Sequence, residues 1–207
     1  MRPIYLFISF VVLIFSAVSC SKTKGPEPLD LTAGKLSMKV EGTLREADVA
    51  YVMTINDEEH YVVTLTAFFT PLGLKNNDDV TDAFHIYIRF SEAQFNNPKG
   101  TWDVVAIDSE TGGRPLVYAL YQEGVGGETM DLYSIAEADK TVGKLTITDF
   151  TIGDQTVIPG VTGRGYTKLA GTFHMDLTEV RTDGTGLGPE LAITEGRFDV
   201  TNTFLGF

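Results

Sequence analysis

The chemistry open to this chain of 207 residues has to come from a small set of side chains. Three histidines, His60, His85 and His174, stand far apart. A zinc centre needs three or four converging His, Cys, Asp or Glu ligands, and the chain has no H-x-x-x-H or C-x-x-C spacing. His60 sits at a hairpin edge. His85 and His174 fall on the polar faces of predicted strands and read as ordinary surface histidines. Carboxylates cluster in Asp57-Glu58-Glu59 and Asn76-Asn77-Asp78-Asp79. Carboxylates held about 5–9 Å apart cut glycosidic bonds, and clustered oxygens bind calcium. Neither cluster follows the D-x-[DN]-x-[DN]-G order, and both read as solvated turns. The nucleophile elbow G-x-S-x-G, the phosphate-cradling P-loop and the dinucleotide fingerprint do not occur. Gly124-Val125-Gly126-Gly127 is glycine-rich but joins β segments, with no helix behind it to receive a phosphate. The expectation is a chain without catalytic residues, metal or cofactor.

Aromatic side chains remain. Trp102, Tyr118 and Tyr121 lie in the middle of the chain and are the candidate ligand-binding residues. Tyr and Trp suit sugar or apolar sites because an apolar ring carries a polar tip. Tyr118 and Tyr121 are three apart, so on a straight strand they face opposite ways. One is then core and the other is free for a pocket. Packing of all three in the interior is the plainer alternative.

The elements that must hold these residues are strands. In AFHIYIRF, Phe84, Ile86, Ile88 and Phe90 share one face and His85, Tyr87 and Arg89 the other, the period of a half-buried strand. GKLTITDF (143–150) turns Leu145 and Ile147 inward. LAGTFHMDL (169–177) puts Leu169, Gly171, Phe173, Met175 and Leu177 on one side. Residues 51–55 and 61–69 form a hairpin around Asn56-Asp57-Glu58-Glu59. Shorter strands are expected at 36–40, 101–106, 116–121 and 132–135. In LAITEGRFDV (191–200), Leu191 and Ile193 are out of phase with Phe198 and Val200. One extra residue has entered, which places a β-bulge at Glu195-Gly196, where glycine tolerates unusual backbone angles. A break between two strands is the alternative. Helix signals are confined to one turn at Ser91–Gln94 and another within SIAEADK (134–140). The fold expected is all-β, a single antiparallel β-sandwich, with an eight-stranded lipocalin-like barrel as the alternative.

The N-terminus gives an address. Arg2 precedes an apolar run that ends in the small residues Ser16, Ala17 and Ser19. That run is shorter than the roughly 20 residues a membrane-spanning helix needs, and its layout is that of a signal peptide. Cys20, the only cysteine, follows at once. Ala17-Val18-Ser19-Cys20 resembles a bacterial lipobox, in which the peptide is cut before Cys and the thiol is acylated. Leu is usual where Ala17 stands. The organisation expected is a lipoprotein signal peptide (1–19), a lipidated flexible tether (20–34) rich in Pro and Gly, and an all-β domain (35–207).

Charge narrows the partners. The net charge is −12, and loss of residues 1–19 removes only Arg2 among the charges. Nucleic-acid binders carry basic footprints, so that class is disfavoured. The membrane is reached through the lipid on Cys20, since no polybasic patch stands in for it. Lys22 and Lys24 after the cysteine, in place of an acidic cluster, favour the periplasmic face of the outer membrane over the cell surface.

Several pieces in order, LSMKVEG (36–42), Gly100-Thr101-Trp102, GKLTITDF, Gly171-Thr172-Phe173 and ITEGRFDV (193–200), resemble those of uncharacterised Bacteroidetes-type lipoproteins. Such proteins often carry a Trp shortly after the first Gly, and Thr43-Leu44-Arg45-Glu46 has none. The resemblance implies a β-rich fold and an envelope address and carries no established activity. The expected function is a non-catalytic binding module for a small ligand or glycan, with an accessory protein docked to an envelope partner as the alternative. Metabolic labelling with a fatty-acid analogue should mark the wild type and leave Cys20→Ser unmarked. An unmarked wild type would overturn the lipid anchor.

Overall fold

The computed structural model describes residues 35–56, 59–69, 81–106, 115–125, 130–135, 140–158, 161–180 and 187–202. Cys20, Asp57, Glu58, Asn76–Asp79, Gly126, Gly127 and 136–139 of the expected second helical turn lie outside these. The chain is all-β. Its elements are β1 (Lys35–Val40), β2 (Thr43–Glu46), β3 (Val49–Asn56), β4 (Tyr61–Phe69), β5 (Thr81–Phe90), α1 (Glu92–Asn96), β6 (Gly100–Val104), β7 (Leu116–Val125), β8 (Asp131–Ser134), β9 (Gly143–Ile158), β10 (Val161–Val180) and β11 (Leu187–Thr201). One sheet runs in the order β2-β1-β11-β10-β9-β6-β7-β5-β4-β3, and β8 bridges β7 and β10. Among the described residues every pairing is antiparallel except a bridge between Val104 and Val117.

The period-two pattern becomes burial. Phe84, Ile86, Ile88 and Phe90 of β5 and Leu169, Phe173, Met175 and Leu177 of β10 all face one continuous core. Phe84 stacks on Phe173 with ring centroids 5.1 Å apart. The sheet therefore doubles over so that distant strands pack face to face, the sandwich-like arrangement expected from the sequence. Large antiparallel sheets reach this state because one hydrophobic face has to be covered.

Each end of the core has its own closure. At one end α1 is started by a capping box in which Ser91 and Gln94 satisfy each other's backbone N–H. It delivers Phe95 between Tyr61, stacked at 3.9 Å, and Tyr166, at 4.6 Å. The Tyr166 hydroxyl donates to Phe95 O at 2.6 Å. At the other end of β5, Arg45 and Asp82 form a buried ion pair.

β9 and β10 are long because they do two tasks. Their 143–150 and 169–175 halves pair in mid-sheet, and the Thr151–Ile158 and Val161–Lys168 halves pair with each other beyond. That second half meets the outer edge of β3. An edge strand carries backbone N–H and C=O groups with no ladder partner. Here an amide side chain replaces the missing strand. Gln155 Oε1 accepts from Thr54 N at 3.1 Å, and Gln155 Nε2 donates to Thr54 O. Asn202 Nδ2 donates to Val52 O at 2.9 Å and to Gln155 Oε1 at 3.2 Å. Tyr166 N donates to Thr54 Oγ1 at 3.1 Å. Gly165 makes the room, because a Cβ there would collide with the Gln155 amide.

The bulge is present, and β11 runs through it unbroken. Phe173 stands opposite Gly196 and Met175 opposite Ile193, so three steps on β11 match two on β10. The left-handed residue is Glu195, with φ 51°, rather than the glycine. Gly196 is needed for another reason: a Cβ there would enter the ring of Phe173.

Gln155→Leu would leave Thr54 N and O buried without partners. At about 1–3 kcal/mol for each of the two orphaned groups, a loss of about 2–6 kcal/mol in denaturant unfolding is expected. A loss below about 0.5 kcal/mol would show that the edge does not depend on this side chain.

Candidate functional site

The structure separates the three aromatic candidates. Trp102 is half-buried on β6, where its Nε1 donates to Pro98 O at 3.1 Å. Its ring lies against Gly100, whose φ of 148° suits glycine. Tyr118 and Tyr121 face opposite sides of β7, as their spacing requires. Tyr121 is fully buried and has no ring surface to offer a ligand. Its hydroxyl donates to Asp82 Oδ2 at 3.3 Å and accepts from Arg45 Nη1 at 3.3 Å. Asp82 also takes Arg45 Nη2 at 2.8 Å and Gly124 N at 3.0 Å. The Arg45 guanidinium lies 5.4 Å from the centre of the Phe69 ring. Burial first, then the Asp82 charge, pushes the Tyr121 phenol well above its ordinary range. A buried pair with these added hydrogen bonds costs little to keep and much to break. The Tyr121 cluster therefore ties β2, β5 and β7 together across the core.

Tyr118 belongs to the outer face of β3-β4-β5-β7. Its hydroxyl bonds Ser134 Oγ, and its ring lies 6.1 Å from that of Tyr87. Burial, with Tyr118 and Tyr51 nearby, pushes the Tyr87 phenol up to about 12. On the same face His85 is not a surface histidine. It is buried, with Thr66 Oγ1 3.1 Å from Nδ1, Tyr87 stacked at 5.9 Å and Phe68 edge-on at 6.3 Å. Alternation put it on the non-core face, but neighbouring aromatic rings fill that face. His174 is exposed, as expected. Among the described residues no group of three His, Cys, Asp or Glu side chains could hold a metal.

A concave surface lies elsewhere among the described residues. A shallow depression of about 260 Å³ crosses the outer face of β9, β10 and β11 over the bulge. Lys144 and Thr146 come from β9, Thr172 and His174 from β10, and Glu195 and Arg197 from β11. The register sets Lys144 opposite His174, Thr146 opposite Thr172, and Thr172 opposite Arg197. The Gly196 backbone lies in the lining. The extra residue of the bulge kinks β11 here and shapes the dent. Lys39 Nζ holds Glu195 Oε1 at 2.7 Å, and Lys144 holds Asp103. Among the described residues His174, Arg197 and the Thr172 hydroxyl have no hydrogen-bond or ionic partner. Sequence reasoning missed this group, although the phase slip at Glu195-Gly196 marked the strand where it forms.

No protein-family model, curated protein or solved structure matches this chain.

Burial lowers His85 from 6.5 to about 4. A pKa lower in the folded than in the unfolded state means that protons favour unfolding. Stability should be full above about pH 6.5 and fall between about pH 6.5 and pH 4, by about 3 kcal/mol in the limit. In His85→Gln that part of the pH dependence should vanish from denaturant midpoints measured over this range. An unchanged slope would show that His85 is not the titrating group.

Proposed function

We propose that this protein is a non-catalytic binding module of the bacterial cell envelope, tethered by a lipid on Cys20, and that it holds a small polar ligand or glycan. The depression over the bulge supports this reading. It is concave, lies on three paired strands, and is lined by Thr146, Thr172, His174 and Arg197 with polar groups directed outward. Strand-borne side chains are pre-positioned, so little ordering entropy is lost when a ligand arrives. The lining contains no exposed aromatic ring, since Phe173 is buried. Recognition there is by hydrogen bonds rather than by stacking. The lipid and the Pro- and Gly-containing stretch 21–34 would hold the domain near the outer membrane, on its periplasmic face.

Native mass spectrometry of the protein drawn gently from its source envelope tests this. A reproducible extra mass that disappears on denaturation is expected. A bare mass from repeated preparations, with cross-linking in the intact envelope to one protein partner, would replace the binding module by an accessory subunit.

A further inference from the structure

The rim and the centre of the depression differ in what they offer. Its two bordering carboxylates are already engaged, Glu195 by Lys39 and Asp103 by Lys144. What remains in the middle are Arg197, His174 and Thr172, each able to donate. Arg197 carries five N–H groups and no acceptor, and His174 presents a ring N–H in either neutral tautomer. Thr172, directly across from Arg197 in the register, adds a hydroxyl. Thr172 and Arg197 stand about 5 Å apart across the strands, and His174, two residues along β10, lies on the diagonal at about 7–8 Å, within reach of a group seated against the long Arg197 side chain. Lys144, opposite His174, is taken up by its pairing with Asp103. Among the described residues Arg197 is thus an unpaired positive charge of the strip, on a chain whose net charge is −12.

We infer that the ligand of this depression is an acidic saccharide whose carboxylate or sulfate group is seated between Arg197 and His174. This rests on the binding-module reading above and names the ligand class for it. Arg197 offers a fork of donors with no acceptor and is unpaired among the described residues, which favours an acceptor-only group, and an oxyanion is one. The hydroxyls of Thr146 and Thr172, on neighbouring strands, extend the strip beyond the charged centre. Three strands span about 10 Å, long enough for linked sugar rings to run from the anion site toward Thr146.

Two measurements on the purified protein test this. In an NMR titration with inorganic sulfate at low salt, the amides of Thr172, His174, Gly196 and Arg197 should shift together, and the shifts should be lost in Arg197→Gln. On an array with matched uronate, sulfated and neutral oligosaccharides, binding should be confined to acidic members. It should weaken about 10-fold or more in Arg197→Gln and in 0.5 M salt, with His174→Gln as a second variant. Both side chains are exposed, so unchanged circular dichroism should show that the variants fold. Neutral saccharides bound as well as acidic ones, and unaffected by Arg197→Gln, would overturn the acidic ligand and leave the binding module standing. No saccharide bound and no sulfate-induced shift at these four amides would overturn the acidic site altogether.

Discussion

The outer edge of β3 is the constraint on which the fold turns. A sheet that doubles over a core has two edges to deal with, and an unpaired edge at the core boundary would leave backbone groups dry and unbonded. Gln155 resolves this by presenting a side-chain amide that bonds Thr54 N and O as a paired strand would. The geometry then propagates. Asn202, just after β11, bonds both Val52 O and Gln155, so the last strand is fixed by the same contact. β9 and β10 have to continue past mid-sheet to carry Gln155 there, and Gly165 has to stay small beneath it.

Long, bent β9 and β10 also position the outer face of their first halves. Where β11 follows β10, one extra residue is absorbed at Glu195, and the dent between Thr172, His174 and Arg197 results. The core sets the residue at position 196 to glycine. Inside, its missing Cβ admits the Phe173 ring. The ion pairs flanking that strip are solvent-exposed and contribute little to stability. Their consequence is to take up the carboxylates and leave donors in the centre.

Much of the architecture was legible in the chain. Strict alternation in AFHIYIRF and LAGTFHMDL predicted which faces are buried, because a period of two admits one reading when one face is apolar. The bulge was legible from a phase slip within one strand. The left-handed angle at Glu195 was not, since only the backbone path around Phe173 shows why the non-glycine takes it. Polar burial was illegible for a different reason. Gln155 is buried by a partner 101 residues away, and Arg45 by one 37 residues away. No local pattern distinguishes such residues from surface ones. His85 misled for the same reason: its face is polar in sequence and is filled in space by Phe68 and Tyr87. Trp102, Tyr118 and Tyr121 were singled out by residue type, but the fold sends them to three different environments. The depression is instead lined by Thr, Lys, His and Arg, types that a sequence offers everywhere.

Hydrogen exchange at the amide of Thr54 tests the central claim most directly. If Gln155 closes the edge, Thr54 N–H should exchange as slowly as the mid-sheet amides of Leu65 and Ile86, near the global unfolding limit. Exchange at the rate of a free edge strand, with Leu65 and Ile86 still protected, would contradict it.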